Sequence, residues 1–326
     1  MTVADFLRLA AHVQLMPALE SGEETLVGGQ AVIEGVMMRA PHSYCVAVRK
    51  PSGEIVTEEM PVKRPSEKHR IFRYPVLRGL GTLGQAMSLG MKALRFSANA
   101  SLTEEQAKKE TPQEISSWMI ALNVIFSVGF FIFLYKFVPL YLATVIERGF
   151  PVLRGPVAFN AIDGVIRLVI FLGFLWLISR WKEIRRVFEY HGAEHKVVFN
   201  FESGRPVTIE NAQAFGTFHP RCGTSFLLVV MIVSMAVYTL IPFQGFALKF
   251  VSRLALLPLI VGLSYEMIRY AARKRGSFLA LLTAPGLWLQ RITTQPPADA
   301  QTAVAICALD RAMWLEKEQN GELVIA

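Results

Sequence analysis

The stretch from Gly223 to Leu248, GTSFLLVVMIVSMAVYTLIPFQGFAL, decides the fold class because it contains 26 consecutive residues without a charged side chain. A transmembrane helix needs about 20 predominantly apolar residues to cross the hydrocarbon core of a bilayer. The whole chain agrees with this, since 52% of its 326 residues are hydrophobic and only 18% are charged. Soluble domains average about 25% charged residues. The sequence therefore predicts an integral membrane protein.

Three further segments approach or reach spanning length. Trp118 to Tyr135 is uncharged, Asn160 to Ser179 includes the i,i+4 pair Asp163 and Arg167, and Phe250 to Tyr270 includes three charged residues. Charges near the ends of a span are tolerated. We therefore expect an α-helical polytopic membrane protein with about four transmembrane helices and a small cytosolic α+β part containing two β-hairpins.

The distribution of basic residues predicts the orientation. The segment after the second span carries Arg180, Lys182, Arg185, Arg186 and Lys196. The positive-inside rule then places this loop and both termini in the cytoplasm of a multi-pass cell-membrane protein. The same bias accounts for the net charge of +8, so no nucleic-acid partner is expected. Asp5 and Arg8 interrupt the first apolar run, which predicts that there is no cleavable signal peptide.

This organisation divides the chain into five parts. They are 1–117, an N-terminal cytosolic and interfacial region with a hairpin at 44–59 and an interfacial helix at 74–100; 118–179, transmembrane helices 1 and 2; 180–222, a cytosolic loop with a hairpin at 196–211; 223–270, transmembrane helices 3 and 4; and 271–326, C-terminal interfacial and cytosolic helices. Two alternatives stay open. The two hairpins, 151 residues apart, are either a pseudo-repeat or merely similar turns, and the helix at 74–100 either lies in the interface or packs on the spans.

The segment EYHGAEHK carries the clearest chemical pattern. On a helix, His191 and His195 stand at i and i+4 and share one face, a spacing that can grip one metal ion. Glu194 lies between them and completes H-x-x-E-H, the reversed zincin signature in which the glutamate activates water. The alternative reading is two interfacial histidines beside a glutamate that pairs with a nearby cation.

The segment FHPRCGTSF adds His219 and Cys222, immediately before the charge-free stretch. Cysteine and histidine are the preferred ligands of zinc, so the two segments together can supply three or four ligands to a divalent metal, with Zn²⁺ favoured by the thiol. Four protein ligands would make a structural site, and three would make a catalytic one. The alternative for Cys222 is a small buried hydrophobic residue at the entrance to a span. Three cysteines in the chain cannot form a disulfide framework.

A third segment, GGQAVIEGVMMRAPH, runs from Gly28 to His42. Its glycines can bring backbone amides and Glu34 to a shared site, and His42 is a further candidate ligand. Neither G-x-G-x-x-G nor G-x-x-x-x-G-K-[ST] occurs here, so a nucleotide site is unsupported. The alternative is a hydrophobic lead-in to a hairpin.

The blocks GGQAVIEGVMMRAP, EYHGAEHK, HPRCGTSF and APGLWLQRITTQPP resemble the YqhQ-like family, a domain of unknown function described as predicted metal-dependent membrane enzymes. The resemblance extends from about Val27 to the terminal helix. It implies a membrane protein with a metal site, and it supplies no substrate. By motif match it carries over the positions His191, Glu194, His195, His219, Cys222 and Glu34.

Two functions follow from these residues. The first is a membrane-embedded metallohydrolase, with metal on His191, His195 and either Cys222 or His219, and with Glu194 or Glu34 as the base. Its partner would be membrane lipid or a membrane-associated substrate. The second is a non-enzymatic scaffold or regulator with a structural Cys/His metal site, acting as a homo-oligomer or with membrane-protein partners. Few intramembrane charges make a transporter the weaker third option.

Overall fold

The computed structural model describes residues 27–102, 117–153, 155–219, 222–241, 243, 245–273 and 278–318. These residues form a mostly helical protein with one small antiparallel sheet. The expectations about residues 1–26, which include the missing signal peptide, lie outside the described residues. So does Pro220, which the sequence places in the turn before Cys222.

The sheet is a meander of four strands in the order β1-β2-β3-β4. The strands are β1 (Gly28–Val32), β2 (Gly35–Arg39), β3 (Ser43–Arg49) and β4 (Ile55–Pro61). Strands β3 and β4 pair antiparallel with Val48 opposite Val56, and they form the hairpin expected at 44–59. The glycine-rich block Gly28 to His42 also forms a hairpin, in which Glu34 takes a turn position with a positive φ of 53°.

Helices make up the rest of the described chain. Up to residue 178 they are α1 (Pro65–Lys68), α2 (Leu77–Ala100), α3 (Ser117–Ile132), α4 (Val138–Gly149) and α5 (Pro156–Ile178). They continue with α6 (Lys182–Glu202), α7 (Ile209–Gln213), α8 (Gly223–Thr239), α9 (Phe246–Ala255), α10 (Leu257–Arg273), α11 (Phe278–Thr293) and α12 (Asp299–Glu318). A π-turn at Phe133–Phe137 joins α3 to α4.

The sheet is covered on both faces. Because side chains alternate along a strand, Cys45 and Ala47 of β3 face one way, and Tyr44 and Val46 face the other. The first face packs on α6 and α12, and the second packs on α2. The N-terminal and C-terminal parts of the chain thus share one core with α6.

Two helical segments are long and apolar enough to cross a membrane, Ile125–Gly149 and Pro156–Ile178, which is consistent with membrane localisation. A third candidate is the pair α9 and α10, which is bent by 50° at Leu256. Helix α8 is apolar but slightly shorter, with 17 residues. The helical path that contains Trp118 to Tyr135 continues through the π-turn to Gly149, and within it Lys136 bonds the Tyr238 hydroxyl.

The prediction of a hairpin at 196–211 is wrong, and the pseudo-repeat that depended on this hairpin is wrong as well. Residues 196–202 continue α6 without a break, and 209–213 form the short helix α7. The run KVVFNFE contains β-formers, but Val197 and Val198 are buried in the core shared by α6, α12 and the sheet. Tertiary burial of this helix face overrides the local strand propensity.

Helix α2 packs against both the sheet and α10. This agrees with the second of the two predictions for 74–100, a helix packed on the spans, rather than with an interfacial helix. A Cβ on Gly79 would lie 2.7 Å from Tyr265, and one on Gly90 would meet Gln30, so glycine permits both contacts. Glu266 of α10 accepts hydrogen bonds from the Arg78 guanidinium and from the Val76 amide, at 3.2 Å for the amide. Glu266 is therefore an anchor for the start of α2.

Candidate metal centre

Helix α6 brings His191 and His195 together as their spacing predicts. Their ring centroids are 4.4 Å apart. The Nδ1 of His191 donates to the Thr293 carbonyl at 2.8 Å, and the Nδ1 of His195 donates to the Thr217 carbonyl. Since a carbonyl only accepts, each Nδ1 carries the proton and each Nε2 keeps its lone pair. Metal-binding histidines are usually fixed by a second hydrogen bond of this kind.

Cys222 arrives from the other side, at the start of α8. Its side chain caps the helix by accepting from the Thr224 amide at 3.5 Å, and its Sγ lies 3.3 Å from the Nε2 of His191. One ligand atom each from His191, His195 and Cys222 lies within 4.8 Å of the others. The structure therefore assembles three soft or borderline donors from two segments of the chain.

The Nε2 of His195 tests whether a cation fits this group. The side chain is 1% exposed, and within the described residues this nitrogen has no hydrogen-bond partner. A buried polar atom without a partner is rare and costly. A metal ion coordinated by Nε2 would satisfy it, so the residues present fit a divalent cation of the zinc type.

Glu194 adjoins the three donors. Its Oε2 lies 3.5 Å from the Nε2 of His195, and the carboxylate accepts a hydrogen bond from the Gly29 amide. A Cβ on Gly29 would lie 2.7 Å from Glu194, so a glycine is needed where β1 touches α6. Burial raises the pKa of the Glu194 carboxyl, although His191, His219 and the Gly29 amide oppose this effect.

His219 lies beside the group but outside the three-ligand set. Its ring centroid is 5.5 Å from that of His195, and its Nε2 is 3.5 Å from a Glu202 carboxylate oxygen. Burial lowers the pKa of the imidazole to about 4. The backbone of His219 is held at both ends by Gln290, whose amide accepts from its N–H and donates to its C=O, each at 2.7 Å.

The structure places Glu34 and His42 away from the ligand atoms. The Glu34 carboxylate pairs with the Arg186 guanidinium and accepts from the Tyr190 hydroxyl at 3.2 Å. His42 bonds Glu316 of α12 through its Nδ1, at 2.9 Å. The glycine-rich block therefore reaches the candidate centre through the Gly29 amide, and its Glu34 holds the N-terminal half of α6 through Arg186 and Tyr190.

The sequence reasoning missed the residues that hold the centre in place. The carbonyls of Thr217 and Thr293 orient the imidazoles, and Gln290 fixes the turn that precedes Cys222. Gly192 permits the contact with the last segment, because a Cβ there would lie 2.1 Å from the Gln295 carbonyl oxygen. The block APGLWLQRITTQPP contains Gln290, Thr293 and Gln295, but its sequence carries the family resemblance without indicating these contacts.

The fold and the site together define a class of mostly helical proteins with apolar helices of membrane-spanning length, a small antiparallel sheet and a buried His/Cys group. A family profile described as a protein of unknown function (DUF1385) matches residues 74–314, and the chain belongs to this family. The chain is similar to the uncharacterized protein YqhQ of Bacillus subtilis (strain 168), with 37% identity over 303 residues, covering 90% of this chain and 94% of that protein. The resemblance to the YqhQ-like family is thereby confirmed. No solved structure matches the chain.

Proposed function

We propose that this protein is a metal-dependent hydrolase of the cell membrane, acting on a lipid or on another membrane-associated substrate. The observation that carries the proposal is the convergence of His191, His195 and Cys222, whose ligand atoms lie within 4.8 Å beside the buried Glu194. Three protein ligands leave a coordination position open, which is the pattern of catalytic zinc sites.

The chain's own residues supply orientation and a base. A divalent ion such as Zn²⁺, when bound, acts as a Lewis acid and makes a water molecule more acidic. Glu194, whose Oε2 lies 3.5 Å from the Nε2 of His195, would serve as the general base, and the Gly29 amide holds its carboxylate in place. The Thr293 and Thr217 carbonyls keep both imidazoles in the tautomer that coordinates a metal.

A structural metal site is the second candidate, and one observation favours it. His219 and Glu202 lie close to the group, with the His219 ring 5.5 Å from the His195 ring. A small movement of His219 would supply a fourth ligand and close the site. The protein would then be a scaffold or regulator whose metal joins α6 to α8, acting as a homo-oligomer or with other membrane proteins.

We also propose four spans, formed by α3 with α4, α5, α8, and α9 with α10. Helix α8 is about 25 Å long at 1.5 Å per residue, close to the roughly 30 Å of a hydrocarbon core. By the positive-inside rule, the basic start of α6 favours a cytoplasmic location for the candidate centre and both termini. Reporter fusions after Lys317 and within 151–155 test this topology, and the same orientation for both would contradict it.

Metal content tests the site itself. Elemental analysis of purified protein should find about one equivalent of metal in the wild type, and much less in His191→Ala and Cys222→Ser. His69→Ala and Cys307→Ser are matched controls, because both residues lie outside the candidate centre. Equal metal content in all five proteins would refute the site.

Activity separates the two candidates. Metal-loaded protein is incubated with a polar lipid extract, and the products are identified by mass spectrometry. Glu194→Gln should retain the metal and release at least a hundredfold less product, the scale expected when a general base is removed. If Glu194→Gln releases as much product as the wild type does, Glu194 is not the base. A metal with four protein ligands by X-ray absorption favours the structural site.

A further inference from the structure

A second polar group lies at the opposite end of the helical bundle. It is formed by Asp163 and Arg167 of α5, Arg253 of α9 and Tyr238 of α8. Tyr238 follows Cys222 by 16 residues, which corresponds to about 24 Å along the helix. This group is therefore separate from the candidate metal centre.

Its charges do not balance. One carboxylate, that of Asp163, accepts hydrogen bonds from the guanidinium groups of both Arg167 and Arg253, and all three side chains are at most 4% exposed. The amine of Lys136 adjoins the group, and its Nζ donates to the Tyr238 hydroxyl at 3.0 Å. Burying a charge without a counter-charge is costly, so this arrangement favours an additional anion.

A cavity of about 150 Å³ adjoins the group. Its polar lining consists of Asn160, Tyr238, Lys249, Ser252, Arg253 and Glu147. The Lys249 ammonium lies 3.8 Å from the centre of the Phe159 ring, and none of the carboxylates in the described chain forms an ion pair with it. Even with Glu147 included, the group and its cavity hold three cations, Arg167, Arg253 and Lys249, and two carboxylates.

The size and the rim of the cavity define the ligand. Pockets for drug-sized molecules measure about 300–1,000 Å³, so this cavity suits a single anionic group rather than a whole ligand. The apolar part of its lining, which we call the rim, includes Pro156, Ile241 and Phe243, and Phe243 is 47% exposed. Arg and Lys are the side chains that bind phosphate groups.

We infer that this cavity binds the phosphate group of a phospholipid headgroup, with Lys249 and Arg253 as its cationic partners and with the acyl chains against the apolar rim. The site does not depend on the proposed hydrolase activity. It would fix the lipid at the ends of α5, α8 and α9.

The experiment measures binding to the full chain in a neutral detergent by calorimetry. The probes are dihexanoyl-phosphatidylglycerol, dihexanoylglycerol without the phosphate, and inorganic phosphate. Lys249→Met should weaken phospholipid binding at least about tenfold, while Lys249→Arg should bind within about threefold of the wild type. Lys317→Met, an exposed lysine on α12, is the matched control and should bind as the wild type does.

A second variant guards against misfolding of the first. Ser252→Asp places a carboxylate in the cavity and should abolish binding of both phosphate-containing probes. Inorganic phosphate that binds as tightly as the phospholipid, with the same loss in Lys249→Met, would identify free phosphate as the source of the same chemistry. The inference would be overturned if Lys249→Met and Ser252→Asp bind the phospholipid as tightly as the wild type does. It would also be overturned if dihexanoylglycerol binds with the same affinity as the phospholipid, or if none of the probes binds.

Discussion

The two ends of α8 hold buried polar groups of opposite kinds. At the Cys222 end, neutral donors are fixed by backbone carbonyls, and the Nε2 of His195 is left without a hydrogen bond. At the Tyr238 end, the side chains are charged and bond one another through Asp163. Neutral ligands held in place this way are ready for a metal cation, whereas an excess of buried guanidinium groups calls for an anion. Helix α8 thus separates, by its length alone, two buried polar groups of different chemistry.

The largest effect is expected from removing the Asp163 carboxylate, which Arg167 and Arg253 share. Asp163→Ala leaves Arg167 and Arg253 buried without their counter-charge, and it should lower the free energy of unfolding by about 3–5 kcal/mol. Thermal unfolding in detergent measures the loss. Glu54→Ala, at an exposed position, serves as the control, and a loss below about 1 kcal/mol for Asp163→Ala would show that the charges are not buried as described.

The next largest effect is expected at the other end, from a single methyl group. In Gly192→Ala the new Cβ would lie 2.1 Å from the Gln295 carbonyl oxygen, so the segment that orients His191 must move. Overpacking of this kind costs about 1–3 kcal/mol, and the metal content should fall with it. Gly173→Ala, where a Cβ has open space, should be neutral or stabilising by up to about 1 kcal/mol. Full metal content in Gly192→Ala would contradict the assigned role of that segment.

Gln290 offers a finer test of the same end. Gln290→Leu removes both hydrogen bonds between this side chain and the His219 backbone, and the His219 carbonyl then keeps the Cys222 amide as a donor. The expected cost is about 1–3 kcal/mol, together with a metal affinity reduced about 10-fold or more, because the turn before Cys222 loosens. Metal competition titrations measure the affinity. Gln213→Leu is the control, since its amide contacts α12 rather than this turn, and a similar loss of metal affinity there would argue against a specific role for Gln290.

The smallest effect is expected from chemical labelling of the cysteine thiols, which leaves the fold intact. Cys45 is fully buried, and burial raises the pKa of its thiol, so it should resist iodoacetamide at pH 8 in the folded protein. Cys222 should react after treatment with a chelator and be protected when metal is added. Mass spectrometry of the labelled peptides reads out both sites, and labelling of Cys222 that is indifferent to metal would weaken the case for coordination.

The sequence predicted the centre better than the fold around it. The i,i+4 spacing of His191 and His195 required only that EYHGAEHK be helical, and Cys222 was found through its position just before an apolar helix. The helix of 196–202 was missed because its burial depends on α12, about 100 residues further on. The pairing of Glu34 with Arg186 joins residues 152 positions apart, and local patterns carry no information about such a contact.

The contact between His191 and the Thr293 carbonyl also has a consequence for the biosynthesis of the protein. The ligands His191, His195 and Cys222 leave the ribosome long before Thr293, and the histidine tautomer is fixed only when that late segment packs against Gly192. A chain that stops early, or that inserts its last helices wrongly, therefore has the ligand residues without the support that orients them. In the proposed metal centre, metal retention would therefore report on completed synthesis and distinguish finished molecules from truncated ones.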